Sequence, residues 1–381
     1  MILRKKLLIL LEWFSPGFKA GGPIKSCMNL AFALKNDYEI YILTTDTDHG
    51  EKLPYEGIKI NEWIDDNELN VKIFYAQKLY LSFKQIKQQI NFVNADYIYL
   101  NLMFSPHFVI FPIWLKFNNK VFAQLILSPR GALYDSALNL KWYKKRPLLF
   151  LYNLINIQRF TRFHATNERE KLAIEYFFKN SKVIIANNLP NIHQLPNSCL
   201  QKNPNKINCI FIARIVPIKN LSYILNALLN ISAEVNFSIV GPAENELYWN
   251  ECKAIIVNLP KNIMVTYLGA KNSLELFALL QKNHLFILPT TGENFGHSIF
   301  ESLLAGRPVL ISDQTPWLNL NFLNVGWDIP LNQPHAFVNA LEAAAAWNQE
   351  DFNKSSQAAW HYANEFINQP SLSKPYYQLF S

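Results

Sequence analysis

Short apolar runs recur along the whole chain, and stretches of helical periodicity separate them. In the first half LLILLEW, EIYILTT, VKIFYA, DYIYLN, VFAQLIL, FHAT and KVIIANN read as strands. In the second half NCIFIAR, NFSIVG, MVTYLG, HLFILP and PVLIS do the same. Amphipathic stretches such as 23–36 and 81–94 lie between them. Asn167 followed by Glu170 has capping-box spacing and predicts a helix start after FHAT. Apolar strands alternating with helices predict a parallel sheet covered on both faces. The plan occurs twice, so the expected fold is α/β, with two doubly wound, Rossmann-like domains facing a cleft. The first domain is expected over 1–190. A Pro- and Asn-rich linker follows over 191–206, then a second domain over 207–350. Residues 351–381 form a helical, aromatic-rich segment able to pack back on the first domain.

The N-terminus, MILRKKLLILLEWFSPGF, has a basic start and an apolar run like a leader peptide. Glu12 interrupts the run and no small-residue cleavage site follows, so a first core strand fits better. No apolar run is long enough to span a bilayer. Cys27, Cys199, Cys209 and Cys252 form no CxxC pair, which fits a reducing compartment and argues against a zinc ribbon or a disulfide scaffold.

Charge changes the picture in one place. Residues 116–171 hold eleven Lys/Arg against Asp135, Glu168 and Glu170, an excess of +8 where the whole chain has only +7. Trp142, Tyr143, Phe150, Tyr152, Phe160 and Phe163 lie among these charges. Such a mixture suits a solvated amphipathic face, or a surface that meets an anionic membrane. It carries no nucleic-acid-binding motif.

Ligands of doubly wound sheets sit beyond the carboxyl ends of the strands, and the chain places its chemistry there. SPGFKAGGPIKS sets Gly21 and Gly22 before a helix, where an anion could approach the backbone; a plain turn would read the same way. FIARIVPIKNL sets Arg214 at a strand end and Lys219 five residues on, two cations fit to flank a diphosphate. GENFGHSIFE sets Glu293 in a loop and Glu301 in the helix after it. Carboxylates suit sugar hydroxyls and repel phosphate, so the cations are expected at one end of a nucleotide sugar and the acids at the other. Dipole compensation at a helix start would explain Glu301 alone.

These residues resemble the retaining glycosyltransferases of family four, which have the GT-B fold. Glu293 and Glu301 match that family's E-x7-E signature, and ARIVPIKNL resembles its Arg/Lys diphosphate element. FSPGFKAGGPIKS, TTDTDHG, LSPRGAL and FHATNEREK are similar to a bacterial branch that builds surface polysaccharides. The resemblance implies that Arg214 and Lys219 neutralise the leaving diphosphate and that Glu301 holds the ribose. It gives Glu293 and the backbone of Asn294, Phe295, Gly296 and His297 the donor sugar. Gly241 and Leu268 would line the base pocket, and Gly21 and Gly22 would close over the phosphates. Many relatives carry a histidine where this chain has Arg130, so Arg130 is expected to meet a phosphate, to meet an acidic acceptor, or to be structural. His164 and His297 are further candidate bases, with a structural role the alternative for each.

The resemblance implies transfer from a nucleoside-diphosphate sugar to a lipid-linked or polysaccharide acceptor, without a metal or other cofactor. Front-face displacement is the expected mechanism. The enzyme would sit in the cytoplasm, peripherally on the inner membrane face through its 116–171 segment, and bind no nucleic acid. A nucleotide-sugar epimerase of the same fold, or a non-catalytic nucleotide-sugar binder, are the competing readings.

Overall fold

The computed structural model describes residues 4–139, 142–190, 200–369 and 372–381. The chain divides into two compact units, Met1–Leu189 with Pro370–Ser381, and Pro190–Gln369. Residues 191–199 of the expected linker lie outside the described residues.

The first unit is built on strands β1 (Lys5–Leu10), β2 (Tyr38–Thr45), β3 (Trp63–Asp66), β4 (Val71–Ala76), β5 (Tyr97–Asn101), β6 (Gln124–Ser128), β7 (Thr161–Ala165) and β8 (Val183–Ile185). They form one sheet in the order β3-β4-β2-β1-β5-β6-β7-β8. Only β3 runs antiparallel, against β4. Helices α1 (Gly22–Leu34), α2 (Phe83–Val93), α3 (Phe111–Phe117), α4 (Asp135–Asn139), α5 (Trp142–Leu154) and α6 (Glu168–Phe177) connect the strands. Leu7 through Leu10 are wholly buried, because helices cover both faces of the sheet and leave β1 no wet side.

The second unit has β9 (Lys206–Ile212), β10 (Glu234–Val240), β11 (Ile263–Tyr267), β12 (Leu285–Leu288), β13 (Val309–Ser312) and β14 (Gly326–Ile329). All pairings are parallel, in the order β11-β10-β9-β12-β13-β14. Its helices are α7 (Leu221–Leu228), α8 (Glu246–Val257), α9 (Ser273–Gln281), α10 (His297–Leu304), α11 (Pro334–Ala346) and α12 (Gln349–Ile367). Asparagine caps start several of them. Asn272 and Asn348 form full capping boxes with Glu275 and Asp351. The strand order reverses between β9 and β12, which makes that junction the unit's ligand crevice.

Two strands escape the hydrophobic pattern. WIDD (β3) carries two acids on an edge, and GWDI (β14) opens on a glycine and ends the sheet. The terminal segment 351–381 is not one piece. Helix α12 stays in the second unit, where Ala359 and Ala363 join its core. Helix α13 (Lys374–Leu379) packs on the first unit. There Tyr376 donates to the Asn187 carbonyl at 2.8 Å, and the Phe380 ring lies 5.7 Å from that of Tyr97.

Candidate active site

Because β9 pairs directly with β12, the loops that leave their carboxyl ends are neighbours. Backbone contacts lock them together. Thr291 donates its amide to the Ile218 carbonyl at 2.8 Å, and the Thr290 hydroxyl donates to the same oxygen at 2.9 Å. This sets Lys219 against Glu293, and their side chains form an ion pair with only 14% and 16% of their surface exposed. The arrangement differs from the sequence expectation of cations at one end of the ligand and acids at the other. Lys219 and Glu293 come from adjacent strand ends, and at such separation an ammonium and a carboxylate bind each other.

Arg214, at the end of β9, pairs with Glu244 at 2.9 Å and keeps 40% of its side chain exposed. Gly241 ends β10 at φ 140°, a conformation that disfavours other residues. A Cβ there would collide with the Ala213 carbonyl oxygen, so the glycine lets the loops after β9 and β10 touch. Its amide donates to the Gly269 carbonyl at 2.8 Å, and the amide of Leu268 donates to Ile239 at 2.9 Å. Arg214, Gly241 and Leu268 therefore line one sheet edge, beside Lys219 and Glu293.

The loop 293–296 is held from below. Glu293 donates its amide to the Gln314 carbonyl at 3.0 Å. Phe295 is buried, with its ring 5.2 Å from Trp317 and 5.8 Å from Phe300. The Trp317 indole N–H donates to the Phe295 carbonyl. Phe295 thus anchors the loop with its side chain and can offer a ligand only backbone. Gly296 caps α10, His297 opens it, and Glu301 lies one turn further along. Asn294, His297 and Glu301 are half-buried beside the crevice. The amino ends of α7 and α10 leave the two loops, so the positive ends of both helices face the ligand edge with the cations.

In the first unit, Gly21 has φ 68° and precedes α1, with open space where a Cβ would lie. Gly22 is the first helical residue. The loop before them is clamped by Asp48, whose carboxylate accepts from the amides of Phe18 (2.9 Å) and Lys19 (3.1 Å). This gives the motif TTDTDHG a mechanical role.

Arg130 and His164 lie in a polar network that joins the carboxyl ends of β5, β6 and β7. Arg130 donates to Asn101 (3.0 Å), to Tyr99 (2.8 Å) and to Asn188. Its three guanidinium nitrogens are all engaged in holding the sheet edge. His164 is wholly buried between the Tyr99 hydroxyl and the Ala186 carbonyl, each at 2.8 Å. Burial, and then the Arg130 charge, push its pKa down to about 3. That makes it a neutral structural histidine. The expected capping box at Asn167 is half made. Asn167 accepts from the Glu170 amide at 2.9 Å, but the Glu170 carboxylate turns inward to the amides of Gly131 (2.6 Å) and Thr166 (2.7 Å).

Sequence reasoning missed Glu244, Trp317 and Gln314. Each lies twenty or more residues from the group it supports, and no local spacing signals them. Among the described residues, no cluster of three His, Cys, Asp or Glu side chains could hold a metal ion. No helix among them is long and apolar enough to cross a membrane.

Comparison with known proteins bears on this geometry. Residues 198–359 match the family model described as "Glycosyl transferases group 1". A Klebsiella pneumoniae chain, described as an uncharacterised 41.2 kDa protein in the cps region, is 20% identical over 318 residues; these span 78% of this chain and 82% of that one. Sucrose-phosphate synthase from Thermosynechococcus elongatus superposes with a TM-score of 0.70 at 14% identity, covering 99% of this chain and 98% of its own. HepE from Anabaena, solved with UDP and glucose, superposes at 0.67 with 16% identity and the same coverage. Both units have the GT-B fold of these structures, and the region that holds Lys219, Arg214, Glu293 and Glu301 matches the group 1 glycosyl transferase model: the chain is a glycosyltransferase of that fold.

Proposed function

We propose that the enzyme moves a sugar, with retention at the anomeric carbon, from a nucleoside-diphosphate sugar to a lipid-linked or polysaccharide acceptor in bacterial surface-glycan synthesis. The observation that carries this reading is the Lys219–Glu293 pair at the β9/β12 junction, with Arg214 beside it and Glu301 on the helix that follows. The Klebsiella relative from a cps region and the UDP- and glucose-bound Anabaena protein support the glycan setting and the donor class.

In this reading Lys219 and Arg214 meet the diphosphate, where negative charge builds as the anomeric C–O bond breaks. Fixed cations in a dry site stabilise such charge without reorganising. Glu293 positions Lys219 and accepts a hydroxyl of the donor sugar, and Glu301 accepts the ribose diol. The amide edge of Asn294, Phe295, Gly296 and His297 grips the sugar, and Gly241 and Leu268 border the base. The acceptor oxygen forms its bond on the face the diphosphate leaves, and its proton passes to the departing phosphate oxygen. These side chains supply the charge stabilisation, so the reading requires no metal. In this reading the enzyme works at the inner face of the membrane, a setting that a lipid-linked acceptor requires and the basic, aromatic stretch 116–171 supports.

A thermal-shift screen of nucleotide sugars tests the donor assignment. A ligand at 100 times its Kd adds about 2.7 kcal/mol to stability. One nucleotide family should raise the melting temperature of the wild type and not of Glu301→Ala. Stabilisation by no nucleotide sugar overturns the reading. Release of a free sugar epimer from donor alone would make the protein an epimerase instead.

A further inference from the structure

The first unit has a crevice of its own. Its strand order turns between β1 and β5, as that of the second unit turns between β9 and β12. Glu12, just past the end of β1, reaches across this junction. The Ser105 hydroxyl, from the loop after β5, donates to its carboxylate at 2.7 Å. Ser105 is itself buried. The backbone of Glu12 is pinned from the other side, where the Thr45 hydroxyl, at the end of β2, donates to its carbonyl at 2.5 Å. Leu102, the first residue after β5, stands at φ 70°, a conformation that a branched side chain keeps only where its surroundings enforce it. Glu12 is thus fixed by the ends of β1, β2 and β5.

The residue is nonetheless only half-buried, and among the described residues Ser105 is the one partner of its carboxylate. A carboxylate has room for about four hydrogen bonds, so most of its accepting capacity is open. The other two acids at this edge are committed to the backbone. Asp46 is buried and accepts from the Lys78 amide at 3.0 Å. Asp48, also buried, accepts from the amides of Phe18 (2.9 Å), Lys19 (3.1 Å) and His49 (2.7 Å). Trp13, next after Glu12, is half-buried, and its ring meets that of His49 edge to face at 4.5 Å. A fixed carboxylate accepts hydroxyls, and a fixed aromatic ring covers the apolar face of a sugar. A phosphate or a uronic acid in the same place would meet like charge.

We propose that Glu12 accepts hydroxyls of the acceptor's terminal sugar, with the Trp13 ring along that sugar, and that the acceptor therefore ends in an uncharged sugar. The inference rests on the proposed transfer to a glycan acceptor and names the chemistry of that acceptor's end and the residues that hold it.

The test titrates the full-length protein, by ligand-observed NMR, with the p-nitrophenyl β-glycosides of glucose, galactose and N-acetylglucosamine, and with p-nitrophenyl β-glucuronide as the charged counterpart. All share one aglycone, so differences report the sugar. At least one uncharged glycoside should bind wild type about tenfold more tightly than the glucuronide. Glu12→Gln keeps an oxygen for Ser105 and should fold. In it the preference for the uncharged glycoside should shrink to about threefold or less, a change that loss of a merely structural contact would not produce. Trp13→Ala should weaken the uncharged glycoside about fivefold. An undiminished preference in Glu12→Gln, or wild-type affinity in Trp13→Ala, overturns the proposal. So does a wild type that prefers the glucuronide or binds none of the uncharged glycosides. Nucleotide-sugar stabilisation, measured on the same proteins, should be alike in all three. Its absence from wild type would count against the donor reading and leave the glycoside titrations to decide Glu12.

Discussion

The Lys219 ammonium binds the Glu293 carboxylate across the junction of β9 and β12. In the proposed function, the cation that meets the diphosphate is thereby held in place by the acid that meets the sugar. The two act as one unit, so their removal should not be additive. Lys219→Ala and Glu293→Gln should each lower kcat by about 100-fold or more, the scale of losing preorganised charge. The double variant should be no slower than the slower single. Multiplying losses in single-turnover rates would show that the pair is not functional.

Arg214 separates catalysis from stability. Its pair with Glu244 is partly exposed, at 40% and 22% of the two side chains, and surface pairs contribute about 0–1 kcal/mol. Arg214→Ala should leave urea unfolding nearly unchanged while cutting turnover by about 100-fold. Wild-type turnover in this variant would remove Arg214 from the site.

Arg130→Met should do the reverse. Tyr99, Asn101 and Asn188 lose their shared donor, so stability should fall by about 2–4 kcal/mol. The KM for donor should stay near its wild-type value. A large KM change with unaltered stability would return Arg130 to the ligand.

Gly241→Ala tests the close approach of the loops after β9 and β10. The added methyl meets the Ala213 carbonyl at φ 140°, and strain and overlap together should cost about 3 kcal/mol. Chemical denaturation measures this directly, and a change under 1 kcal/mol would mean the loops yield.

Stability should fall in acid through His284. This histidine is buried, accepts from the Asn208 amide and contacts the Gln201 carbonyl, each at 2.9 Å. Burial lowers its pKa from 6.5 to about 4. The unfolded chain therefore takes up a proton below about 6.5 that the folded chain refuses until about 4. The stabilisation is complete above 6.5 and is lost as pH falls towards 4, by up to about 3 kcal/mol. Melting temperatures from pH 7 to 4 should drop less steeply for His284→Gln, and parallel curves would contradict the assignment.

The sequence by itself determined the two parallel sheets, because strands buried on both faces are apolar throughout and leave that mark in runs such as LLILLEW and HLFILP. It also singled out the loops after β9 and β12 as candidates for the chemistry, since strand ends and the spacing from Glu293 to Glu301 are local facts. Tertiary structure alone decided how those residues meet. Lys219 and Glu293 are 74 residues apart, and only the pairing of β9 with β12 puts them in contact. The same holds for Arg130, which a strand-end position makes a candidate ligand group and which partners from β5 and the chain after β8 make structural. It holds again for the basic segment, where folding ties Arg130 to Asn101 and Arg162 to the Leu379 carbonyl. Charge in a sequence is a count; what a charge does depends on the groups that folding brings within a few ångströms of it.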